Sequence, residues 1–501
     1  MSTIDDIRKG RLDKLQALKD KNIEAYPISS NQDYTNAEVI EKWTKLSEGS
    51  SAAGPKAGAK PTTLVGRVLA LRPQGAIIFF SFDDGTAKFQ GFMKKGEGIS
   101  EDLFDLFMNV VDIGDFVEVT GTFFETKRGE KTIHASDWRM LSKSLRPLPE
   151  KWHGLQDVEE RFRKRYLDVI SSPEVKERFI TRAKIVTELR KNLDKAGYLE
   201  VETPVLQAVA GGASAEPFKT HHNALDIDMY LRIAPELFLK ELLVAGFPKV
   251  YEVGRLFRNE GIDVTHNPEF TTVEFYEAYS DAKKQQAFTE KLVRNIVKGA
   301  MGTTTITFDG QEIDFDKKFN VISFYDLLRR YALISNPESM SLDEAKLKAE
   351  QLGVKVERGD LLHKIFDNIY KKTCRPKLVQ PTFIVEYPTA FSPLAKHKEG
   401  THEFIDRFQL VIAGYELVNA FSELNDPLEQ KKRFEDQEAN KQQGDKEAQP
   451  NDDEYVEAME HGMPPAGGVG MSVDRLTMIL TNTKNIREVI LFPTLKPRKA
   501  E

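Results

Sequence analysis

The sequence predicts an α+β protein of at least two domains, the first of which is a small β-barrel. Its 501 residues are too many for one ordinary hydrophobic core. Residues 47–63 are mostly small and lack apolar anchors, which is typical of a flexible linker. Residues 64–142 then form five short strand-like runs with Gly-containing turns and one helical piece. Five such strands favour a closed barrel.

The overall composition excludes several classes of protein. With 71 Lys and Arg against 78 Asp and Glu, the net charge of −7 argues against a protein that coats nucleic acid nonspecifically. The single cysteine, Cys374, excludes an intrachain disulfide framework and a Cys-rich zinc site, and it suits a reducing cytosol. No segment looks like a signal peptide or approaches the ~18 apolar residues of a membrane span. We therefore expect a soluble cytoplasmic protein without membrane contact.

The N-terminal region, residues 1–61, is expected to be a helix followed by the linker. Ile4, Ile7, Leu15 and Leu18 recur at near-helical spacing, so residues 4–22 should form an amphipathic helix capped by Ser2 or Thr3 and packed on the next domain.

The barrel prediction includes a candidate nucleic-acid surface. Barrels of the OB type stack single-stranded bases on exposed aromatic and basic residues of their strands, and Arg72, Phe79 and Gln90 are candidates. A strand Phe is more often part of the core, so the pattern of the whole fold is what favours this interpretation.

Residues 146–175 are interpreted as an interdomain linker. Four cations between Arg161 and Arg165 favour a solvated helix face, with interdomain or RNA contact as the alternative. The next helix should end at Gly197. A strand follows whose Pro204 has no N–H to donate, which predicts a sheet edge available for pairing or subunit contact.

Two later segments carry no predicted chemistry. Residues 322–375 contain three helical runs and are interpreted as an accessory helical insertion. Residues 429–462 are highly charged and should form a solvated helix and loop.

The most informative chemistry lies in residues 257–276. If these residues form a hairpin, the period of two places Arg258, Glu260, Phe270, Glu274 and Tyr276 on one face. Charged groups buried against protein need partners, so this face more plausibly lines a pocket for a charged and partly planar ligand. A nucleotide together with an amino acid fits that description.

A second strand, residues 415–426, carries further candidates. Asn419, Phe421 and Glu423 share one face, whereas Glu416 is out of phase by one residue. If all four reach one pocket, a β-bulge is expected near Leu417 or Val418. The alternative is a polar outer face with Glu416 pointing elsewhere.

A glycine-rich run at residues 467–470 precedes a helix. Glycines permit a close approach of ligand to backbone, and Ser472 can cap a helix that delivers Arg475 near its start. The run is neither a Walker loop nor a GxGxxG fingerprint.

Together these segments resemble class II aminoacyl-tRNA synthetases. Residues 197–204, the FRNE hairpin and GVGMSVDR are similar to the three ordered motifs of that class. RIAPELFLK, THNPEFTTVEFY, NAFSELND and HGMPP resemble the lysyl-tRNA synthetase family in particular. The resemblance covers nearly the whole chain.

The resemblance implies an OB-fold anticodon-binding domain at residues 62–145 and a catalytic domain at 176–501. The catalytic domain would contain a seven- or eight-stranded antiparallel sheet flanked by helices. The implied substrates are ATP, L-lysine and tRNA(Lys), with Mg²⁺ as cofactor. The first motif, which includes Pro204, would form a homodimer.

The resemblance also implies roles for individual residues. Arg258, Glu260 and Arg475 would be catalytic, and Arg258 would bind both the α-phosphate and the lysine carboxylate. The implied ATP site consists of Arg258, His266, Asn267, Phe270, Glu416 and Arg475. The implied lysine site consists of Gly212 with Gly211, Glu236, Arg258, Glu274, Tyr276, Asn419, Phe421 and Glu423. Glu416 would bind Mg²⁺.

Four positions depart from the family pattern. Gln409 stands where the family commonly has a second acidic metal ligand, and Ser472 replaces a motif glycine. Glu216 and Ala76 occupy places where basic residues are usual.

The chemistry of the implied reaction agrees with these residue types. The α-carboxyl of a free amino acid has a pKa of ~3.5, so it attacks phosphorus without a protein base. The site must supply alignment and charge neutralisation. Two alternatives remain: a lysyltransferase acting on a protein, against which the barrel counts, and a silent RNA-binding paralogue, which would be expected to lose Arg258, Glu416 or Arg475.

Overall fold

The computed structural model describes residues 3–50, 55–56, 58–149, 155–213, 215–442 and 451–498. The chain divides into two compact units, Met1–Gly154 and Leu155–Glu501.

The first unit begins with the expected helix. Helix α1 spans Ile4–Asp20 and begins with a capping box in which Thr3 accepts a hydrogen bond from the amide of Asp6. Leu18 of α1 is fully buried in the same hydrophobic core as the barrel. Two short helices, α2 at Asn36–Glu41 and α3 at Trp43–Leu46, follow. Ser2 and part of the predicted linker, residues 51–54 and 57, lie outside the described residues.

Six strands and one helix form the barrel itself. They are β1 Thr62–Gln74, β2 Ile77–Asp83, β3 Lys88–Lys95, β4 Gly98–Ile99, α4 Glu101–Val110, β5 Phe116–Glu125 and β6 Lys131–Ser142. The sheet order is β2-β1-β5-β6-β3-β4, and an additional β2–β3 pairing closes it. In β2 every second side chain is buried, which places Phe80 and Phe82 inside and leaves Phe79 on the outer surface. The predicted barrel is confirmed.

The second unit contains thirteen strands within the described residues. They are β7 Leu199–Glu200, β8 Leu206–Gln207, β9 Lys219–His222, β10 Ile227–Leu231, β11 Lys249–Phe257, β12 Glu269–Ala278, β13 Thr305–Phe308, β14 Gln311–Asp314, β15 Asn320–Ser323, β16 Thr382–Pro388, β17 Phe404–Ile412, β18 Tyr415–Ser422 and β19 Ala466–Ser472. Eight of them form the main sheet, in the order β15-β16-β17-β18-β19-β12-β11-β7. The six central strands are antiparallel, but the edge strands β15 and β7 pair in parallel, which the sequence did not predict.

Helices cover both faces of this sheet. They are α5 Val158–Arg163, α6 Arg165–Ser171, α7 Pro173–Lys195, α8 Glu236–Val244, α9 Ala282–Met301, α10 Phe324–Ala332, α11 Leu342–Gln351, α12 Leu362–Ile369, α13 Pro427–Gln442, α14 Asp453–Glu460 and α15 Val473–Leu480. One hydrophobic core joins the sheet to α7, α9 and α15, and a second joins it to α8, α10–α12 and α14. Over the described ranges, none of the helices combines the length and the apolar composition that crossing a bilayer requires.

The helical segment at residues 322–375 is not an accessory insertion. Helices α10–α12 connect β15 to its parallel neighbour β16, and parallel neighbours require such a crossover. Phe324, Ile365 and Tyr370 of this segment share a core with Tyr276 and Phe421 of the sheet. The segment is therefore built into the core of the second unit.

The strand predicted around Pro204 is interrupted there. Strand β7 ends at Glu200, and β8 begins at Leu206 in a separate three-stranded sheet with β9 and β10. Pro204 lies exposed between the two. The sheet-edge prediction is correct for β7 only.

Two charged segments are less solvated than expected. Arg165 is buried, its Nη1 lies 2.7 Å from Asp168 Oδ2, and its Nη2 donates to the carbonyl of Arg487 at 2.8 Å. It therefore anchors the C-terminal segment. In the tract 429–462, Tyr455 and Met459 are buried in the core, and residues 443–450 lie outside the described residues.

Candidate active site

A cavity of about 540 Å³ opens on the sheet face that packs against α8 and α10–α12. It brings together side chains from segments that are far apart in the sequence. The predicted residues that line it are Gly212, Glu236, Arg258, Glu260, His266, Asn267, Phe270, Glu274, Tyr276, Glu416, Asn419, Phe421, Glu423 and Arg475.

Arg258 enters the cavity just beyond the end of β11. The sequence predicted that Arg258 and Glu260 belong to a strand, but β11 ends at Phe257 and both residues lie in the connection to β12. The backbone amide of Arg258 still donates to Pro268 O at 2.9 Å, which holds the start of the connection in register. The guanidinium lies 5.2 Å from the centroid of the Phe270 ring, and its buried Nε has no hydrogen-bond partner among the described residues.

Arg475 faces Arg258 from the first turn of α15. As predicted, Ser472 caps this helix, its hydroxyl accepting from the amide of Arg475 at 3.1 Å. Arg475 Nη1 donates to the carbonyl of Glu416 at 2.8 Å, and Nη2 lies 3.5 Å from His266 Nε2. A planar ring between Phe270 and Arg475 would meet an aromatic face and a guanidinium, both of which stack on aromatic ligands.

The predicted β-bulge is confirmed at Leu417. Leu410 of β17 pairs with Val418, whereas the next residue, Val411, pairs with Glu416, so Leu417 is the extra residue. Leu417 is buried in the core on the opposite face of the sheet. The bulge brings Glu416 into the same cavity as Asn419, Phe421 and Glu423.

The far end of the cavity is acidic and closed to solvent. Glu236, Glu274 and Glu423 are all buried there, and Tyr276 Oη donates to Glu274 Oε2 at 3.0 Å. Burial and the charge of Glu236 raise the pKa of Glu274 to about 8. Burial also raises the pKa of Glu423, an effect that the neighbouring Lys240 ammonium opposes.

Glycines complete this acidic end. Gly212 has a left-handed φ of 85° beside Glu236, and a side chain at Gly468 would collide with Glu423 and the ring of Tyr276. The arrangement offers carboxylates for cationic groups at one end, and arginines with an aromatic ring for a nucleotide at the other.

Comparison with known protein families agrees with this geometry. The model described as OB-fold nucleic acid binding domain matches residues 62–141, and the model of tRNA synthetases class II (D, K and N) matches residues 157–496. The chain belongs to the class II tRNA synthetases.

The synthetase is similar in sequence to known proteins over almost its whole length. It is 45% identical over 494 residues to the lysine–tRNA ligase of Moorella thermoacetica. The alignment covers 99% of this chain and 98% of that protein. It is 45% identical over 498 residues to the lysine–tRNA ligase of Pelotomaculum thermopropionicum, with 99% and 96% covered. The similarity to the lysine–tRNA ligase of Aquifex aeolicus is 46% over 443 residues, with 88% and 74% covered. The predicted family and fold class are confirmed.

Gln409 does not line the cavity of the synthetase. It is buried on β17, and its Oε1 accepts from Tyr387 Oη at 2.7 Å. Among the described residues no group of three or more His, Cys, Asp or Glu could hold a metal ion. Glu416 therefore faces the cavity without a neighbouring acidic partner at position 409.

Sequence reasoning missed four cations of the synthetase. Lys240 of α8 is fully buried beside Glu236 and Glu423. Lys371, Arg375 and Arg407 line the cavity, the first two from a π-helical turn at Tyr370–Cys374 and the residue after it. The i,i+4 spacing of Glu236 and Lys240 among apolar residues of α8 was a usable signal for Lys240. No local pattern marks the other three.

The barrel of the synthetase carries an aromatic surface cluster of its own. The half-exposed rings of Phe79 and Phe92 lie 4.9 Å apart, and His134 lies 5.1 Å from Phe92. Arg72 is exposed on β1 directly opposite Phe79, and Gln90 donates to Thr132 Oγ1 at 2.9 Å. Phe92 was not among the predicted residues, although its alternation with buried Phe89 and Met93 could have indicated an outward position.

Apart from buried Gln409, the departures from the family pattern lie at the surface or at the cap of α15. Glu216 is exposed, and its carbonyl accepts from the amide of Asn259 at 2.7 Å, which ties two loops together near Arg258. Ala76 is exposed in the β1–β2 turn.

Proposed function

We propose that this chain is a lysine–tRNA ligase. It activates lysine with ATP to lysyl-adenylate, with release of pyrophosphate, and then transfers the lysyl group to the 3′ end of tRNA(Lys). One observation supports this most strongly: the cavity that contains Arg258 ends in buried Glu423, whose Oε1 has no hydrogen-bond donor among the described residues, while its Oε2 lies 2.5 Å from Lys240 Nζ. Buried acceptors of this kind require a partner, and the ammonium of a lysine side chain supplies three donors.

The activation step needs alignment more than acid–base chemistry. The lysine α-carboxylate is ionised at neutral pH and attacks the α-phosphorus directly, forming the mixed anhydride as the bond to the pyrophosphate oxygen breaks. Arg258 is proposed to bind both the carboxylate and the α-phosphate, with Glu260 beside it. Because its guanidinium is buried, its charge is poorly screened and stabilises the negative charge of the transition state. Arg475 and Phe270 would hold adenine, and His266 and Asn267 would lie near the phosphates or the adenine.

Glu416 is the proposed ligand for Mg²⁺. In nucleotide sites Mg²⁺ is usually held by one or two carboxylates together with substrate phosphates and water, so the carboxylate of Glu416 fits an ion that enters with ATP. When bound, Mg²⁺ neutralises and orients the phosphate oxygens. Gln409, whose amide oxygen is engaged by Tyr387, is not proposed as a ligand.

Lysine selection is proposed to depend on the acidic end of the cavity. Glu236 and Gly212 would bind the α-amino group, and Glu423 with Tyr276 would bind the side-chain ammonium, with Glu274, Asn419 and Phe421 lining the pocket. A neutral isostere of lysine would leave the buried Oε1 of Glu423 without a donor, which is costly.

The tRNA and a second copy of the chain are the proposed macromolecular partners. The barrel would stack anticodon bases on Phe79, with Arg72 and Gln90 beside it. Leu199, Val205 and Leu206, around Pro204, are 41–50% exposed apolar residues, which supports a homodimer contact at that edge. The single cysteine, which is buried, suits the proposed place in the reducing cytosol.

Amino-acid-dependent exchange of pyrophosphate into ATP tests the proposal. Exchange should occur with lysine and not with aspartate or asparagine, and the purified chain should then charge tRNA(Lys). Exchange with aspartate alone would overturn the assignment. Exchange with lysine but no charging of tRNA would favour a lysyltransferase that modifies a protein.

A further inference from the structure

A resident lysine lies between the two carboxylates proposed to bind the substrate's ammonium groups. Lys240 Nζ lies 2.5 Å from Glu236 Oε1, to which it donates, and 2.5 Å from Glu423 Oε2. Lys240 thus pairs with Oε2 of Glu423, and Oε1 of Glu423 stays without a donor among the described residues. The Lys240 ammonium is fully buried and lies 5.5 Å from the centroid of the Phe421 ring.

The surroundings of this ammonium are predominantly acidic. Glu236 on α8, Glu274 on β12 and Glu423 after β18 approach from three elements, and the phenols of Tyr276 and Tyr455 approach from β12 and α14. Arg258 is a further cation at this end, and its charge acts on Glu274. Three buried carboxylates cannot all stay ionised without a compensating charge.

We propose that Lys240 is a positioning residue of the lysine pocket, which fixes Glu236 and Glu423 in place and favours their ionised forms for the two ammonium groups of the substrate. This role rests on the proposed lysine activation. Lys240 occupies the helix side of the carboxylates, while the cavity side of Glu423 remains open to the ligand.

The role has a consequence for the pH dependence of lysine binding. Burial raises the pKa of Glu423, the charge of Lys240 opposes that rise, and the charges of Glu236 and Glu274 add to it. Without the ammonium of residue 240, Glu423 would keep its proton to higher pH. Lysine binding would then have to displace that proton, and below the carboxyl's pKa the KM for lysine would fall tenfold with each unit of rising pH.

The test is the ratio of the lysine KM of Lys240→Met to that of the wild type, measured by pyrophosphate exchange from pH 6.5 to 9.5. The ratio cancels the ionisation of lysine itself. It should be at least tenfold near neutral pH and fall at least tenfold towards high pH, while the KM for ATP stays within twofold. A ratio of one, or a raised ratio that is constant with pH, would overturn the proposal.

Two further variants keep the test decisive. Lys240→Arg retains the charge and should give a ratio that does not vary with pH; a ratio that varies as in Lys240→Met would contradict the proposal. Lys240→Gln carries the same prediction as Lys240→Met if the Met variant does not fold. The matched control is Lys143→Met, which removes a buried ammonium from between two carboxylates in the barrel and should leave the lysine KM unchanged. If the wild type shows no lysine-dependent exchange, the proposed function fails and the role of Lys240 is not what failed.

Discussion

Lys143 in the barrel and Lys240 in the catalytic unit are both fully buried, and each lies between two carboxylates. The two sites differ in the other contacts that their carboxylates make. Asp115 accepts from Lys143 Nζ and from the backbone amides of Asp112 and Ser144, all at 2.7 Å. Glu423 has the Lys240 ammonium 2.5 Å from Oε2, but its Oε1 has no donor among the described residues, and the carboxylate faces a cavity. A buried ion pair whose carboxylate oxygens are all hydrogen-bonded stabilises a fold, whereas a carboxylate oxygen left without a donor at a cavity indicates binding.

Glu423→Gln should give the largest effect, because it tests directly whether the buried carboxylate at the cavity binds substrate. Losing a buried charged partner is worth ~3–5 kcal/mol, so kcat/KM for lysine in pyrophosphate exchange should fall by roughly 10²–10⁴-fold. The KM for ATP should stay within twofold. Lys240 keeps Glu236 as an ion-pair partner, so the melting temperature should fall less than in Lys143→Met. A loss of lysine kcat/KM smaller than threefold would show that the carboxylate of Glu423 does not bind substrate.

Lys143→Met tests the structural role of the buried ion pair in the barrel. It leaves Asp112 and Asp115 buried without their cation, so the free energy of unfolding of the barrel should fall by ~3–5 kcal/mol. Urea unfolding followed by the fluorescence of Trp43 and Trp138, both in the barrel core, measures this. Unchanged barrel stability would refute the structural role of the ion pair.

Phe79→Ala tests whether the barrel surface, unlike the barrel core, contributes to tRNA binding. The half-exposed ring of Phe79 packs on Phe92, and its loss should weaken tRNA charging by ~1–3 kcal/mol of base stacking while exchange stays intact. Steady-state charging at varied tRNA(Lys) concentrations measures the effect. Phe80→Ala is the matched contrast, because Phe80 is fully buried and its loss should unfold the barrel. Equal losses of charging and exchange in Phe79→Ala would contradict its assignment to tRNA.

Glu274→Gln should have the smallest effect. It should change how the free energy of unfolding depends on pH. The pKa of Glu274 is raised to about 8, so the unfolded chain loses this proton near its ordinary pKa while the folded chain keeps it until about pH 8. This carboxyl therefore lowers the free energy of unfolding as pH rises from about 4.5 to 8. The free energy of unfolding of Glu274→Gln minus that of the wild type should be at least about 1 kcal/mol larger at pH 8 than at pH 4.5. Thermal melts at the two pH values measure it, and a pH-independent difference would count against the raised pKa.

Local patterns predicted much of the site. The one-residue phase error between Glu416 and Asn419 predicted the bulge at Leu417, because strand geometry allows no other way for both side chains to share a face. The order Ser472 to Arg475 predicted the cap of α15, since a hydroxyl at the cap position accepts from the third amide of the helix.

Pairings between distant segments could not be predicted in the same way. The Glu236–Lys240 spacing is the same as that of a surface ion pair, and only the packing of α8 against Glu423 makes it a buried one. The parallel pairing of β15 with β16 follows from how the chain crosses over between them, and no residue within either strand encodes that direction. The strand predicted through Arg258 failed because the hairpin opens one residue after Phe257.

The crossover between β15 and β16 limits how this enzyme can be shortened. Its helices end in the π-helical turn that delivers Lys371 and Arg375 to the cavity wall, and the same residues connect the outermost strand to its neighbour. A minimal catalytic fragment designed by excising those helices would lose two cavity cations together with the covalent link that holds β15 in the sheet. Engineers seeking a smaller enzyme would do better to cut elsewhere.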